Sequence, residues 1–309
     1  MSLQAQGAAI SYAGRQTVIF ACSLGSGLGY DSGMPKVLSD TEVANYRRDG
    51  FHFPVNVLST AEARSYRDRL EANERTLGGP LSGNMRQKPH LLFTWANELA
   101  RHPKILDAVE DVIGPDILCW STTFFTKEAH SPSFVSWHQD ATYWGLSTND
   151  VITAWVAFAD APVASGAMKF WPGSHLRNQI EHRDTFATDN LLTRGQEIAV
   201  DVPEGQGVDV PLKAGEMSLH HVLLAHGSGP NTTADRRIGY AIRYIPPHVR
   251  QIKARDSAML VRGTDRYGNF DVDPAPKRDL DEAALAAHQA AVERSAKVLY
   301  DGTQSSFRA

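Results

Sequence analysis

The chain has 309 residues, of which 42% are hydrophobic and 21% charged, and this ordinary mixture excludes a disordered chain. With 31 basic and 35 acidic residues the net charge is −4, so we expect neither nucleic acid nor an acidic membrane surface as a partner. No apolar run is long enough to span a bilayer. The two cysteines, Cys22 and Cys119, fit neither a zinc site nor a disulfide framework, which favours a reducing, cytoplasmic location.

Capping boxes predict the first helices. In a capping box, a serine and the glutamate three residues later accept hydrogen bonds from the free amides at the start of a helix. Residues 1–36, which precede them, are glycine-rich and without periodicity, and we expect a poorly ordered leader there. The boxes Ser39-Asp-Thr-Glu42 and Ser59-Thr-Ala-Glu62 each predict a helix, and the first should end at Gly50. Further helices are predicted over residues 91–100, 103–112 and 281–300.

The middle of the chain predicts mostly strands, because runs rich in β-branched and aromatic residues are separated there by turn residues. The predicted strands cover residues 51–57, 117–127, 151–158, 197–202, 208–212, 216–224 and 237–245. Helices followed by many short strands, without regular alternation of the two, predict a mainly β fold with a helical flank against an antiparallel sandwich.

His138-Gln-Asp140 is the most informative motif. Residues i and i+2 of a strand point the same way, so an imidazole and a carboxylate in this relation can hold one divalent cation. Bulky apolar residues surround the motif and can exclude water. A second pair, His182-Arg-Asp184, lies in a polar run without strand character, and we expect a solvated loop there. The first pair is therefore the candidate metal site, and it needs a third ligand from a later strand.

His220, His221 and His226 are the candidates for that third ligand. His226 is followed by Gly-Ser-Gly, which lets the backbone turn tightly and approach a ligand closely. Eleven residues later, Arg237 begins a predicted strand, and a guanidinium facing inward there would bind a carboxylate through two hydrogen bonds. The alternative for Arg237 is a surface ion pair with a neighbour such as Asp235.

Taken in order, these motifs resemble the phytanoyl-CoA dioxygenase family, together with Trp155, Phe170-Trp-Pro-Gly-Ser-His175 and His226-Gly-Ser228. The resemblance covers about residues 39–255. It implies a double-stranded β-helix, a cupin-like jelly roll, over a single domain of residues 37–309 with N-terminal and C-terminal helices. It also implies Fe(II) and 2-oxoglutarate as cofactors, and hydroxylation of an unactivated C–H bond of a small molecule while 2-oxoglutarate and O2 become succinate and CO2.

The resemblance also implies residue roles. The implied iron ligands are His138, Asp140 and His226. The residues implied at the cosubstrate are Arg237, which would bind its distal carboxylate, then Ser228 and Trp155. Related halogenases have a small residue where this chain has Asp140, so the full carboxylate implies a hydroxylase. His175 we interpret as structural.

The substrate is less well defined by the sequence. Arg243 lies six residues after Arg237, so a regular strand puts both on one face, and Arg243 could hold an acidic group of the substrate. A buried ion pair is the alternative. Lys127 and Trp144 are weaker candidates for substrate contact. We expect a small-molecule substrate, no nucleic acid and no membrane. The sequence leaves the identity of the substrate open. It also leaves open the choice between monomer and dimer.

Two other functions fit a jelly roll. One is a metalloenzyme that does not use 2-oxoglutarate, and Arg237 speaks against it because such an enzyme needs no buried cation there. The other is a non-catalytic ligand-binding barrel, and the intact set of ligand types speaks against that.

Overall fold

The computed structural model describes residues 36–192 and 194–300. The predicted leader therefore lies outside the described residues except for Lys36, and the predicted domain bounds stay a prediction. The described helices are α1 (Asp40–Asp49), α2 (Thr60–Leu77), α3 (Thr94–Ala100), α4 (Pro103–Ile113) and α5 (Glu282–Leu299). The described strands are β1 (Phe51–Asn56), β2 (Ile117–Lys127), β3 (Val135–His138), β4 (Ile152–Ala157), β5 (Met168–Phe170), β6 (His182–Asp184), β7 (Gln196–Ile198), β8 (Val208–Val210), β9 (Glu216–His221), β10 (His226–Ser228), β11 (Arg237–Ile245), β12 (Ser257–Arg262) and β13 (Asp271–Val272).

Both predicted capping boxes are present, and each fixes the start of a helix. The Ser39 hydroxyl accepts from the amide of Glu42 while the Glu42 carboxylate accepts from the amide of Ser39, and Ser59 and Glu62 repeat the arrangement. Gly50 ends α1 with a φ of 87°, a left-handed conformation that glycine adopts without steric cost. The predicted starts of the first two helices and the predicted end of the first at Gly50 are confirmed.

Two sheets make up most of the fold. The larger has the strand order β1-β9-β4-β11-β2-β12-β13 and the smaller has the order β3-β10-β5-β8. Apart from the β12–β13 pair, the strands in these sheets pair antiparallel. Strands β2 and β11 match the predicted ranges, whereas β12 and β13 were not predicted. The mainly β architecture with helices on one side is the expected jelly roll.

Alternation along β11 divides the larger sheet into two faces. Tyr240 and Tyr244 belong to the core between this sheet and the helices, and their hydroxyls donate to carbonyl oxygens of α3 at 3.2 and 2.9 Å. The alternate residues Ala241 and Arg243 must then point to the other face. That face meets the smaller sheet, where Trp155, Phe170 and Ala241 belong to one buried cluster. The inner face of β11 is thus directed at the smaller sheet.

One local prediction is wrong. His182-Arg-Asp184 is not a solvated loop but strand β6, which pairs antiparallel with β7. The run is polar because the strand is stabilised by backbone pairing with a distant segment, and this does not require apolar side chains.

Helix α5 packs on the same chain. The imidazole of His288 bonds through Nε2 to the carbonyl oxygen of Gln87 at 2.8 Å, and Ala291 and Val292 are buried. Among the described residues, no helix is long and apolar enough to cross a membrane.

Candidate active site

Two neighbouring strands of the smaller sheet bring the predicted metal ligands together. His138 ends β3, His226 begins β10, and the two are register partners in the antiparallel pair. Asp140 follows two residues after His138, at the start of a 3₁₀ turn. Each of the three residues offers a donor atom, and these atoms all lie within 4.8 Å of one another. The arrangement is therefore able to hold a metal ion from one side.

Hydrogen bonds orient both imidazoles for that role. Nδ1 of His138 lies 2.9 Å from the carbonyl oxygen of Ser136, and Nδ1 of His226 lies 2.9 Å from that of Leu224. A carbonyl oxygen only accepts, so Nδ1 carries the proton in each ring. In the neutral imidazole Nε2 then keeps its lone pair for a metal ion.

Gln139, the residue between His138 and Asp140, is held in place by hydrogen bonds of its own. The Gln139 side-chain amide donates to the carbonyl oxygens of Leu223 at 2.7 Å and Asn178 at 3.0 Å, and its oxygen accepts from the amide of Ile180 at 2.7 Å. Its backbone N–H donates to Nε2 of His182 at 2.9 Å. These bonds fix the backbone between His138 and Asp140, so the two ligands keep a common direction.

The protonation states suit a cation. Burial opposes ionisation of Asp140, but hydrogen bonding to His138 and His220, with the charge of Arg243, holds the pKa of this carboxyl well below its usual range. Burial, together with the neighbouring His138 and His220, keeps the pKa of His226 well below that of free histidine. The site thus offers an ionised carboxylate and an uncharged imidazole.

Arg237 lies near this centre, and the alternative of a surface ion pair is excluded. The guanidinium is 1% exposed and donates to the carbonyl oxygen of Gly166 at 2.9 Å, whereas Asp235 pairs with Arg67 at 2.7 Å. Nε of Arg237 has no partner among the described residues. Burial lowers the pKa of Arg237 to about 10, so the group stays charged at neutral pH. A carboxylate is the natural partner for such a buried, under-bonded cation.

The space in front of Arg237 is a cavity between the two sheets, here called the inner cavity. Its lining includes His138, Asp140, Thr153, Trp155, His220, His226, Ser228, Arg237 and Arg243. The Arg237 guanidinium carbon lies 5.3 Å from the centre of the Trp155 ring, a cation–π contact. Trp155 and Ser228 therefore line the same cavity as Arg237, the residue that the resemblance implies at the cosubstrate.

Lys127 is a second buried basic residue at the Arg237 end. The two residues are register partners on β2 and β11. Nζ of Lys127 donates to the Ser228 hydroxyl at 2.7 Å and to the carbonyl oxygen of Gly229. Burial and the charge of Arg237 lower the pKa of Lys127 to about 6. The sequence analysis placed Lys127 at the substrate, but in the structure it lies beside Ser228, away from Trp144.

The phytanoyl-CoA dioxygenase (PhyH) family model matches residues 46–239, which is more than half of the chain. The chain belongs to this family. The matched segment contains both members of the His-x-Asp motif as well as His226 and Arg237, so the donor cluster and the buried guanidinium fall within the family's own sequence pattern.

Individual relatives agree with this membership. The chain is 32% identical over 193 residues to a probable alpha-ketoglutarate-dependent hypophosphite dioxygenase from Stutzerimonas stutzeri, which covers 60% of this chain and 62% of that protein. Among solved structures, the non-heme monooxygenase ThoJ is 41% identical with a TM-score of 0.75, covering 83% of this chain and 96% of that one. The epimerase SnoN, solved with Fe3+, alpha ketoglutarate and nogalamycin RO, is 27% identical with a TM-score of 0.57, covering 68% and 84%. The match to the dioxygenase thus spans less than two thirds of that relative.

In this member of the family a second cavity adjoins the first and is here called the outer cavity. Phe125, Asp140 and Arg243 line both cavities. Trp144 belongs to the outer cavity, with its ring 5.0 Å from that of Trp120 and 5.0 Å from the guanidinium carbon of Arg243. The structure therefore brings Arg243 and Trp144 together on the far side of Asp140 from Arg237.

Three residues of the site were missed by sequence reasoning. His220 was only a reserve ligand, yet it is 2% exposed and its Nε2 lies 3.9 Å from Asp140. The alternation of β9 was a signal for it, because Met217 and Leu219 pack in the helix-side core and Ser218 and His220 must then face the cavity. Two residues had no comparable local signal: His182, which accepts from the backbone N–H of Gln139, and Arg86, which lines the outer cavity.

Proposed function

We propose that this chain is an Fe(II)- and 2-oxoglutarate-dependent dioxygenase that hydroxylates an unactivated C–H bond of a small molecule. The observation that carries the proposal is the cluster of three donor atoms within 4.8 Å in a chain of this family. The names of the relatives support the cofactor pair, since one is alpha-ketoglutarate-dependent and another was solved with iron and alpha ketoglutarate.

The donor set fits a ferrous ion. Two imidazoles with free Nε2 atoms and one carboxylate, all on one side, are the facial set typical of non-heme iron oxygenases. His138, Asp140 and His226 would hold the ion. When bound, Fe(II) and 2-oxoglutarate supply the oxidation of the C–H bond by O2, with succinate and CO2 as further products. The chain's own residues supply position, charge balance and exclusion of water.

Arg237 would bind the distal carboxylate of 2-oxoglutarate. Its guanidinium faces the inner cavity with an unpartnered Nε, and the Ser228 hydroxyl and Lys127 ammonium lie beside it. A dianion bound here would exchange its hydrogen bonds to water for charged hydrogen bonds to the protein, each worth about 1.5–3 kcal/mol. Trp155 would cover the guanidinium and hold its plane toward the anion.

The same residues favour this function over the alternatives. A metalloenzyme without a keto acid has no use for a buried, unpaired guanidinium at one end of its cavity, where burial of unpaired charge is costly. Asp140 fills the position that a halogenase leaves for chloride, so we propose a hydroxylase. Arg243 and Trp144 would contact the substrate from the outer cavity. The cytoplasmic location and the choice between monomer and dimer stay predictions.

The proposal is tested by anaerobic addition of Fe(II) and then 2-oxoglutarate to the purified protein, with visible absorption as the readout. We expect the weak charge-transfer band of the chelated keto acid. Asp140→Ala should abolish this band, and Arg237→Gln should require more 2-oxoglutarate to produce it. His130→Asn is the control, because this histidine is exposed and lines neither cavity, and asparagine tolerates its positive φ of 55°.

Absence of the band in the wild type would overturn the proposal. An undiminished band in Asp140→Ala would do the same, since the ion would then be held elsewhere. Succinate release in air, measured against a panel of small acids, amines and amino acids, then searches for the substrate.

A further inference from the structure

The outer cavity is the place where a substrate can lie next to the candidate metal ligands. Because it shares Phe125, Asp140 and Arg243 with the inner cavity, a molecule that fills it reaches the metal-facing carboxylate without displacing the residues around Arg237. The charges around this cavity therefore restrict the chemistry of the substrate.

Arg243 brings an under-bonded positive charge to the cavity. Arg243 is 6% exposed. Among the described side chains its guanidinium has one hydrogen-bond partner, the Thr123 hydroxyl, to which Nη1 donates at 2.7 Å. Nε has no partner among the residues that the structure describes. The acidic residue whose charge acts on Arg243 is Asp140, and in the proposed function this carboxylate binds the metal ion.

Arg86 brings a second such charge to the same cavity. It ends the 3₁₀ turn Gly83–Arg86, and its Nε is buried without a hydrogen-bond partner in the described part of the chain. By contrast, Arg236 is paired with Glu74 at 2.8 Å and Arg262 with Asp107 at 2.7 Å. No carboxylate of the described residues forms an ion pair with Arg86. Burial lowers its pKa, so an anion placed beside it would relieve an unfavourable environment.

The remaining acidic residue of the cavity does not balance these charges. Asp256 is 2% exposed, accepts from the indole N–H of Trp120 at 2.8 Å, and lies 3.7 Å from the ammonium of Lys88. Its carboxylate is thus already bonded to Trp120 and shares Lys88 with Asp273, which lies 3.3 Å from that ammonium. Two guanidinium groups face this cavity, and neither forms an ion pair with Asp256 among the described residues.

The other walls are apolar. The tilted ring pair of Trp120 and Trp144 forms one side, with ring centres 5.0 Å apart, and Val298 and Leu299 near the end of α5 form another. Resting on the proposed function, we infer that the substrate is an acid with an apolar body: Arg86 and Arg243 bind its anionic group, and the indoles and α5 enclose the rest. Arg86 is thus a specificity-determining residue.

The test compares acids with their uncharged amides, which have the same shape. Binding of indole-3-acetate and indole-3-acetamide, and of octanoate and octanamide, is measured by calorimetry on the full chain without added metal. We expect at least one acid to bind about tenfold or more tightly than its amide, as one charged hydrogen-bonded contact provides. Arg86→Gln should remove this preference. Arg64→Gln, at an exposed arginine of α2, should retain it.

Equal binding of acid and amide in both pairs, or no binding of any of the four probes, would overturn the inference. So would a preference that survives in Arg86→Gln and disappears in Arg237→Gln, because the acids would then occupy the inner cavity. The visible band with Fe(II) and 2-oxoglutarate is recorded for the same Arg86→Gln protein and should be unchanged, which shows that the variant folds. A wild type with the acid preference but without the band would refute only the proposed function.

Discussion

His138 and His226, 88 positions apart in the chain, are direct partners across the antiparallel strands β3 and β10, and their ring centres lie 4.1 Å apart. Direct partners in an antiparallel pair point to the same face of the sheet. A shift of the pairing by one residue would turn one imidazole to the other face and separate the donors. The metal site therefore depends on strand register, and residues that fix this register act on metal affinity.

His182 should be such a residue, because its Nε2 accepts from the backbone N–H of Gln139 between the two motif ligands. Burial lowers the pKa of His182 to about 4, so this nitrogen stays an acceptor at neutral pH. We expect His182→Phe to weaken Fe(II) binding by about tenfold or more, as loss of a group that orients a ligand does. The measurement is an anaerobic Fe(II) titration. His130→Phe is the control, and equal affinity of the two variants would contradict the prediction.

Arg237→Gln should weaken binding of 2-oxoglutarate while leaving Fe(II) binding intact. The substitution removes a buried charge that has no carboxylate partner in the described chain and leaves the metal ligands untouched. Loss of a charged, two-point contact predicts a dissociation constant raised by about tenfold to a hundredfold. The visible band, titrated with 2-oxoglutarate, gives this constant. Arg64→Gln should match the wild type, and an unchanged constant in Arg237→Gln would place the carboxylate elsewhere.

Lys127 should link cosubstrate binding to pH. Burial and the charge of Arg237 lower its pKa to about 6, so the free protein at pH 8 holds this amine mostly uncharged. A dianion beside it favours the charged form and raises this pKa, so binding takes up a proton. The affinity for 2-oxoglutarate should therefore fall as pH rises above about 6, by at most about tenfold per pH unit.

Calorimetry of 2-oxoglutarate binding to the Fe(II)-loaded protein without oxygen measures this uptake. In two buffers of different ionisation enthalpy the heats should differ by an amount that corresponds to up to one proton. Lys127→Met should remove the difference. Identical heats for the wild type would show that the amine does not change its charge on binding.

Local signals were enough to predict some of the elements around the inner cavity. The capping boxes at Ser39 and Ser59 and the strand composition of β2 and β11 depend on neighbours in the chain, and the structure has them at the predicted residues. Strands β5 and β10, which also line the cavity, were not predicted. The spacing of Arg237 and Arg243 on one strand likewise placed both on the face that lines the inner cavity.

What the sequence could not predict depends on contacts between distant segments. Strand β6 exists through pairing with β7, so its polar residues gave no periodic signal. Arg86 and Leu299 line the same outer cavity although more than 200 positions separate them. No pattern within either segment indicates this, because it follows from how α5 packs against the segment around Gln87.

Gly239 should be indispensable for the cosubstrate end of the site. A β-carbon at this position would lie 1.8 Å from Cζ2 of Trp155, the ring that covers Arg237. Gly239→Ala must therefore displace the indole, and we expect unfolding free energy to fall by about 1–3 kcal/mol or more, with weaker 2-oxoglutarate binding. Gly79→Ala is the control, since no atom lies within 4 Å of the added carbon there. Urea denaturation compares the two variants.

If the indole is the cause, the loss should be smaller when the ring is removed first. Trp155→Leu destabilises the protein by itself, but adding Gly239→Ala to it should cost less than adding Gly239→Ala to the wild type, because the clash no longer exists. Strictly additive effects in this double-mutant cycle would show that the glycine is required for another reason. Coupling of 1 kcal/mol or more, roughly the scale of neighbouring side chains, would instead show that the bare backbone of β11 makes the room for the ring over Arg237.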